Sequence, residues 1–423
     1  MSVGEGHVYV AKSLALSRDF NVNEYWGNAG VDVIKVGDNY YLPYAFLNSF
    51  LMAIPYFGLQ VLYYLYTNIF SVGINGNLSI ILESLAFSSV SSISLFVILI
   101  LLLKYIKNKT NLTDYQRGVV LVGVGLGTIL FTYSISFFNH IVAALFGFSA
   151  FYVLSIYKTK WRYFVAGFFI SLGFLTELPV IFFCFALLLA EIYLVLSKNK
   201  SFISVLRDLL VFSLPIVFGI IVLFYYNYSH FGSPFIFGEM LFKAQRVEQG
   251  LNPHGFTQNP LYGVYGSLFS PLKGLFFYSP FLLFSILGLR KFKKEQSYVF
   301  VLVVSYILII ILTYSFWSDC FGATVFGDRY LVNILPFLGV VLVYSIPKFW
   351  FNTYLRNLFL FTVLVSVLSI LANSFTGIAQ GKYGKCKTYL NTYTPYHRIY
   401  DNYIVSPKIK ASPVIIATMH DAF

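Results

Sequence analysis

Long apolar runs recur along almost the whole chain, and they restrict the folds open to it. About ten of these runs approach the ~20 residues that a helix needs to cross the ~30 Å hydrocarbon core of a bilayer. With 58% hydrophobic and 11% charged residues, the chain has more apolar side chains than a soluble core can bury. Because the runs are continuous rather than alternating, helices are expected instead of barrel strands. The sequence therefore predicts an all-α polytopic membrane protein.

Positive charge is confined to short clusters between these runs. The predicted spans lie at about 79–103, 118–138, 141–157, 163–178, 179–197, 209–228, 274–289, 298–316, 330–347 and 355–376. Lys and Arg residues occur in every second connection, and such an excess of positive charge marks the cytoplasmic side. The net charge of +12 is therefore explained by topology, and no nucleic-acid partner is predicted.

The remaining connections are longer and carry most of the acidic and histidine residues. We predict a transmembrane domain at 79–376 in the cell membrane, with its functional site on the external face. The predicted external parts are an N-terminal region at 1–78, the loops 229–273 and 317–329, and a C-terminal tail at 377–423.

Residues 43–67 are apolar, but Asn48, Pro55 and Gln60 interrupt them. We interpret this stretch as an interfacial or re-entrant helix rather than a span. A span here would place residues 1–42 in the cytoplasm, where their excess of acidic over basic residues would be unusual.

Short motifs follow one another in order within the predicted external segments. They are Gly4-Glu5-Gly6-His7-Val8-Tyr9, Gly37-Asp38-Asn39-Tyr40-Tyr41-Leu42-Pro43, Gly173-Phe174-Leu175-Thr176-Glu177-Leu178-Pro179, Ser270-Pro271-Leu272-Lys273-Gly274-Leu275 and Phe326-Gly327-Asp328-Arg329-Tyr330-Leu331. Together they resemble the motifs of the GT-C superfamily of membrane glycosyltransferases, in particular the family-39-like protein mannosyltransferase group. The resemblance extends over most of residues 4 to 340.

This resemblance implies a reaction and its partners. The expected donor is a polyprenyl-phosphate-linked sugar in the membrane lipid, and the expected acceptor is a glycan, a lipid or a protein. Glu5 takes the place of the family's catalytic Asp and would act as a general base that removes the acceptor hydroxyl proton. Direct displacement of this kind inverts the anomeric carbon. No nucleotide-binding loop is visible, and no cofactor is expected.

The other candidates are assigned to substrate binding. Arg329 and Lys273 lie at outer boundaries, where cations can bind the lipid phosphate. Glu177 would orient or bind the acceptor, while His7 and Tyr40 belong to the first two motifs. Each residue also has a simpler interpretation, such as a solvated terminal charge for Glu5 or an interfacial side chain that reaches the headgroups for Arg329. No metal is predicted, because the histidines have no paired spacing.

Two departures from the family pattern are visible. Glu5 carries one methylene more than the usual Asp, and a first span normally precedes this motif. We therefore expect a missing first helix, which would bring the spans to about eleven.

Two other functions remain open from sequence. A flippase or another transporter of lipid-linked saccharides would carry charged residues in the middle of several spans, whereas Glu83 and Glu191 lie near predicted span ends. A catalytically inactive relative that serves as an assembly partner would not need Glu5.

Overall fold

The computed structural model describes residues 3–25, 33–70, 75–248, 255–271, 273–318 and 326–375, without the side chains of residues 3–5 and 375. The helices are α1 (Val3–Leu16), α2 (Leu47–Phe70), α3 (Gly76–Lys109), α4 (Asp114–Leu126), α5 (Leu130–Ser134), α6 (His140–Ile156), α7 (Arg162–Thr176), α8 (Phe182–Leu196), α9 (Phe202–Phe231), α10 (Gly238–Glu248), α11 (Pro260–Leu268), α12 (Leu275–Tyr278), α13 (Ser285–Glu295), α14 (Ser297–Ser315), α15 (Leu335–Val343), α16 (Ile346–Phe349) and α17 (Thr353–Phe375). Short 3₁₀ segments cover Leu178–Ile181, Pro280–Phe284 and Arg329–Ile334. Strands β1 (Ile34–Val36) and β2 (Asn39–Tyr41) form an antiparallel hairpin.

Long apolar helices dominate this architecture. Within the described residues, six helical stretches are long and apolar enough to cross a membrane, and they are Leu47–Phe70, Gly76–Lys109, Leu178–Leu196, Phe202–Phe231, Ser297–Ser315 and Thr353–Ser374. On α9, the exposed side chains of Leu210, Leu214, Phe218 and Ile221 follow helical spacing and form one apolar face. Such a face suits contact with lipid chains. The predicted all-α polytopic class is confirmed, and the number of spans stays a prediction.

Several of the predicted spans are not single helices, and two of them break at positions that contact each other. The stretch 118–138 is divided between α4 and α5, and 274–289 is divided at Ser279 and Pro280. The two breaks pack against each other, because Ser279 Oγ donates a 2.7 Å hydrogen bond to the Gly127 carbonyl. A broken helix inside an apolar bundle must satisfy its freed backbone groups in this way.

The stretch 43–67 corresponds to α2, which begins at Leu47 and ends at Phe70. Its 24 residues would also suffice to span a bilayer, so its interfacial placement stays a prediction. The tail 377–423 lies outside the described residues.

The N-terminal region packs against a segment more than 200 positions away in the sequence. Gln245 of α10 donates to the Lys35 carbonyl of β1 at 2.9 Å, and the Lys35 amide donates back to Gln245 Oε1 at 3.3 Å. At the start of α10, a Cβ on Gly238 would lie 2.7 Å from the Pro43 carbonyl oxygen, so only glycine permits this approach. Regions 1–78 and 229–273, both predicted to be external, therefore contact each other.

A buried carboxylate joins three helices at the other end of the bundle. Glu191 of α8 accepts hydrogen bonds from Tyr163 Oη at 2.6 Å and Tyr298 Oη at 3.0 Å. Lys200 Nζ lies 2.7 Å from Glu191 Oε2 and 2.9 Å from Asp208 Oδ2. This cluster fixes α7, α8 and α14 to one another.

Candidate active site

A cavity of about 380 Å³ lies between segments that are distant in sequence. Its walls come from the start of α6, the turn between α7 and α8, α10, the end of α14 and the 3₁₀ segment Arg329–Ile334. Its size lies in the range typical of small-molecule sites, ~300–1,000 Å³. The acidic, basic and histidine side chains that line it are His140, Glu177, Glu239, Lys243, Arg246 and Arg329.

Glu177 lies in the turn between α7 and α8, where hydrogen bonds and a proline restrict the backbone. Helix α7 ends at Thr176, and Pro179 stands in the 3₁₀ segment that follows. The Glu177 amide donates to the Gly173 carbonyl at 2.7 Å, and Asn139 Nδ2 donates to the Thr176 carbonyl at 2.9 Å. These contacts hold the backbone at the point where the side chain enters the cavity.

The Glu177 carboxylate has a partner at each oxygen. Oε1 lies 2.9 Å from His140 Nδ1, and Oε2 accepts a 3.2 Å hydrogen bond from Asn333 Nδ2. Burial by itself disfavours the charged form of the carboxylate, whereas polar partners at both oxygens stabilise it. Glu177 is therefore a carboxylate at neutral pH.

Cations and aromatic rings form the facing wall. The Arg329 guanidinium lies 5.2 Å from the centre of the Tyr330 ring, and Lys243 Nζ lies 4.9 Å from the Trp317 ring. Trp317 Nε1 donates to Tyr330 Oη at 3.1 Å, and Tyr330 stacks on Tyr314 with centroids 4.3 Å apart. Rings of this kind attract cations and can also stack on a sugar. The wall thus holds positive charge beside flat apolar surface.

Glu239 is a second acid in the cavity. Burial raises its pKa, Lys243 opposes this shift, and the nearby Glu177 charge adds to it. Glu177 and Glu239 therefore differ, because Glu177 has dedicated partners that stabilise its charged form.

Of the residues proposed from sequence, Glu177 and Arg329 line the cavity. Lys273 is buried and lines a separate small cavity together with Asp328. Burial raises the pKa of Asp328, and the hydrogen bond with Ser267 and the charge of Lys273 oppose this shift. Asp328 Oδ1 accepts the Tyr330 amide at 3.0 Å. Lys273 therefore lies behind the Arg329 segment rather than in the wall of the main cavity.

The N-terminal candidates lie in α1 and β2. His7 is fully buried, with Nδ1 2.8 Å from Ser49 Oγ and its ring 6.4 Å from the ring of Tyr44, a cavity residue. Tyr40 lies in β2, where its amide donates to Asn23 Oδ1 at 2.8 Å, and it is not among the residues that line the cavity. The Glu5 backbone belongs to the first turns of α1, while its side chain lies outside the described residues.

Sequence reasoning missed His140, Asn333, Lys243 and Arg246. His140 directly precedes the predicted span 141–157, in a connection predicted to be external. This position could have indicated a site residue. Lys243 and Arg246 lie on α10, inside a stretch predicted only as a loop. Asn333 falls within a predicted span, where an amide side chain indicates buried polar contacts.

The comparisons with known proteins bear on the fold. No family model and no curated protein matches the sequence. Among solved structures, the crystal structure of ArnT from Cupriavidus metallidurans bound to undecaprenyl phosphate is similar, with a TM-score of 0.51 and 11% sequence identity. The match covers 99% of this chain and 70% of ArnT. At this identity the similarity establishes the fold alone, and the chain shares the polytopic helical membrane fold of ArnT.

Proposed function

We propose that this protein is a membrane glycosyltransferase that moves a sugar from a polyprenyl-phosphate-linked donor to an acceptor hydroxyl in the cavity. The observation that carries the proposal is the pairing, in one cavity of about 380 Å³, of the buried carboxylate of Glu177 with the cations Arg329, Lys243 and Arg246. The leaving group of such a donor is a lipid phosphate, which needs cations. The hydroxyl acceptor needs hydrogen-bonding groups nearby.

The donor phosphate is proposed to bind to Arg329, because a guanidinium forms paired hydrogen bonds with phosphate oxygens. The similarity in fold to ArnT, whose crystal structure contains undecaprenyl phosphate, supports a lipid phosphate as the ligand. Lys273 is proposed to assist the donor site through Asp328, which precedes Arg329 and accepts the Tyr330 amide. Mannose is the first sugar to test.

Glu5 is proposed as the general base, on the strength of the motif resemblance. Its backbone lies two positions before His7, and the His7 ring faces the cavity residue Tyr44. A hydroxyl deprotonated by one carboxylate would attack the anomeric carbon directly and expel the lipid phosphate, with inversion. We further propose that Tyr40 contributes to substrate binding and that the reaction takes place on the external face of the membrane.

The experiment uses the purified protein in lipid nanodiscs with undecaprenyl-phosphate-linked mannose. Glu5→Gln keeps the side-chain size but removes basicity, so sugar transfer should fall by roughly 10²–10⁴-fold while donor binding persists. Glu5→Asp should retain measurable activity. The matched control is Glu24→Gln, which removes an exposed carboxylate from the same region.

Two results would contradict this mechanism. Near-normal turnover by Glu5→Gln would exclude Glu5 as the base, and a product with retained anomeric configuration would exclude a single displacement. Absence of any sugar release by the wild-type protein, with binding of the donor intact, would count against the transferase itself.

A further inference from the structure

The imidazole of His140 contacts Glu177 through one of its two ring nitrogens. The residue is 6% exposed and lines the cavity, and its Nδ1 lies 2.9 Å from Glu177 Oε1. In the part of the chain that the structure describes, neither ring nitrogen meets the geometry of a hydrogen bond, so Nδ1 has only the close polar contact with Glu177 and Nε2 has no hydrogen-bonding partner. The ring stacks on Phe138 at 6.0 Å and meets the edges of Tyr133 at 5.9 Å and Tyr330 at 6.4 Å. Its orientation is therefore fixed by packing as well as by Glu177.

The carboxylate determines which nitrogen carries the proton. Glu177 is itself held by Asn333, and a carboxylate beside Nδ1 favours the tautomer with the proton on Nδ1. In the neutral ring, Nε2 then carries a lone pair and can only accept a hydrogen bond. A buried acceptor without a donor costs about 1–3 kcal/mol, so this atom suits a ligand that brings a donor.

The kind of ligand follows from this requirement. Ionised phosphate oxygens are acceptors and would meet the Nε2 lone pair unfavourably, whereas a hydroxyl group can donate. We propose that His140 Nε2 accepts a hydrogen bond from a hydroxyl of the sugar acceptor, and that the His140–Glu177 pair forms the acceptor subsite. The inference rests on the proposed transferase function and adds a binding residue to it.

The Tyr330 ring lies beside both the proposed acceptor subsite and the proposed phosphate ligand. The ring of Tyr330 meets the His140 ring at a centroid distance of 6.4 Å and lies 5.2 Å from the Arg329 guanidinium. One aromatic side chain thus stands next to both the hydroxyl-accepting nitrogen and the proposed phosphate ligand.

Kinetics with the full-length protein in nanodiscs test this assignment. The donor is undecaprenyl-phosphate-linked mannose, and the acceptor probe is methyl α-mannopyranoside. His140→Gln should raise KM for the methyl glycoside by about tenfold, the equivalent of one hydrogen bond, with donor KM within about twofold of wild type. Glu177→Gln should change the acceptor KM in the same direction, because an amide permits the other tautomer. The control is His230→Gln, since His230 is not among the cavity residues and its Nδ1 contacts the Tyr226 carbonyl.

A spectroscopic measurement on the wild-type protein does not depend on turnover or on variant folding. With ¹⁵N-labelled histidine, the neutral His140 ring should carry its proton on Nδ1, and the Nε2 resonance should move when methyl α-mannopyranoside is added. Undecaprenyl phosphate alone should leave it in place. A protonated Nε2 in the neutral ring, or an unchanged acceptor KM in His140→Gln, would overturn the proposal. Failure of the transferase function would appear separately, as absent sugar release with the methyl glycoside shift preserved.

Discussion

One buried glutamate, Glu177, directly precedes the helical stretch Leu178–Leu196, and a second, Glu191, lies within it near its far end; the two have different surroundings. Glu191 contacts two tyrosine hydroxyls and the Lys200 ammonium, and it is fully buried. Glu177 contacts His140 and Asn333, and it borders the large cavity together with His140. The Glu191 carboxylate belongs to a hydrogen-bond network in which side chains of the protein supply the partners. The Glu177 carboxylate belongs to a pair whose distal nitrogen is available to a ligand.

This comparison distinguishes polar groups that stabilise the fold from polar groups that can bind a ligand. A buried charge is tolerated when every partner is supplied, and such a network contributes rigidity. A polar atom left without a partner beside a cavity indicates a binding role, because the ligand then completes the network. We therefore expect substitutions at the Glu191 end to change stability and substitutions at the Glu177 end to change activity.

Glu191→Ala should give the largest effect on stability. Removing this carboxylate leaves two tyrosine hydroxyls without their acceptor and leaves Lys200 with Asp208 and the Tyr163 hydroxyl. The loss of one partner of a buried pair typically costs about 3–5 kcal/mol. Thermal unfolding in detergent should show a clear decrease in Tm, while turnover per folded molecule stays near wild type.

The matched control for this variant is Glu295→Ala. Glu295 pairs with Lys291 at 3.7 Å on an exposed helix surface, where an ion pair contributes about 0–1 kcal/mol. Equal losses of stability in the two variants would contradict the structural role of the Glu191 cluster.

Arg329→Ala tests the opposite end. If Arg329 binds the lipid phosphate, its removal should lower transfer by roughly 10²-fold, as for the loss of one preorganised donor. Arg329→Lys should recover only part of this loss, because an ammonium cannot form the paired contact. Activity at limiting donor concentration is the measurement, with Tm as the check on folding. Wild-type activity in Arg329→Ala would remove Arg329 from the donor site.

Local sequence signals predicted part of this picture. Continuous apolar runs indicated the helices, and charge placement singled out Glu177, next to Pro179, and Arg329, at the start of a run. The contacts of Glu177 could not be predicted, because His140 and Asn333 are 37 and 156 positions away in the sequence. Periodicity reports which face of a helix is apolar, but it does not report which helices meet. The helix break at Gly127 was missed for the same reason, since the Ser279 hydroxyl that stabilises it lies 152 positions away.

The smallest effect is expected for His7, which should change the pH dependence of stability. Burial, with the added influence of His140, lowers the pKa of His7 from 6.5 to about 3. Between these values the unfolded chain binds a proton that the folded chain does not, so His7 makes stability fall as pH decreases from about 6.5 towards 3. At pH 5 this contribution is about 2 kcal/mol. His7→Asn removes the titrating group, so its Tm should decrease less than that of wild type between pH 7 and pH 5. The same pH slope in His7→Asn and wild type would contradict the lowered pKa, because it would mean that the buried His7 imidazole accepts a proton in the folded state.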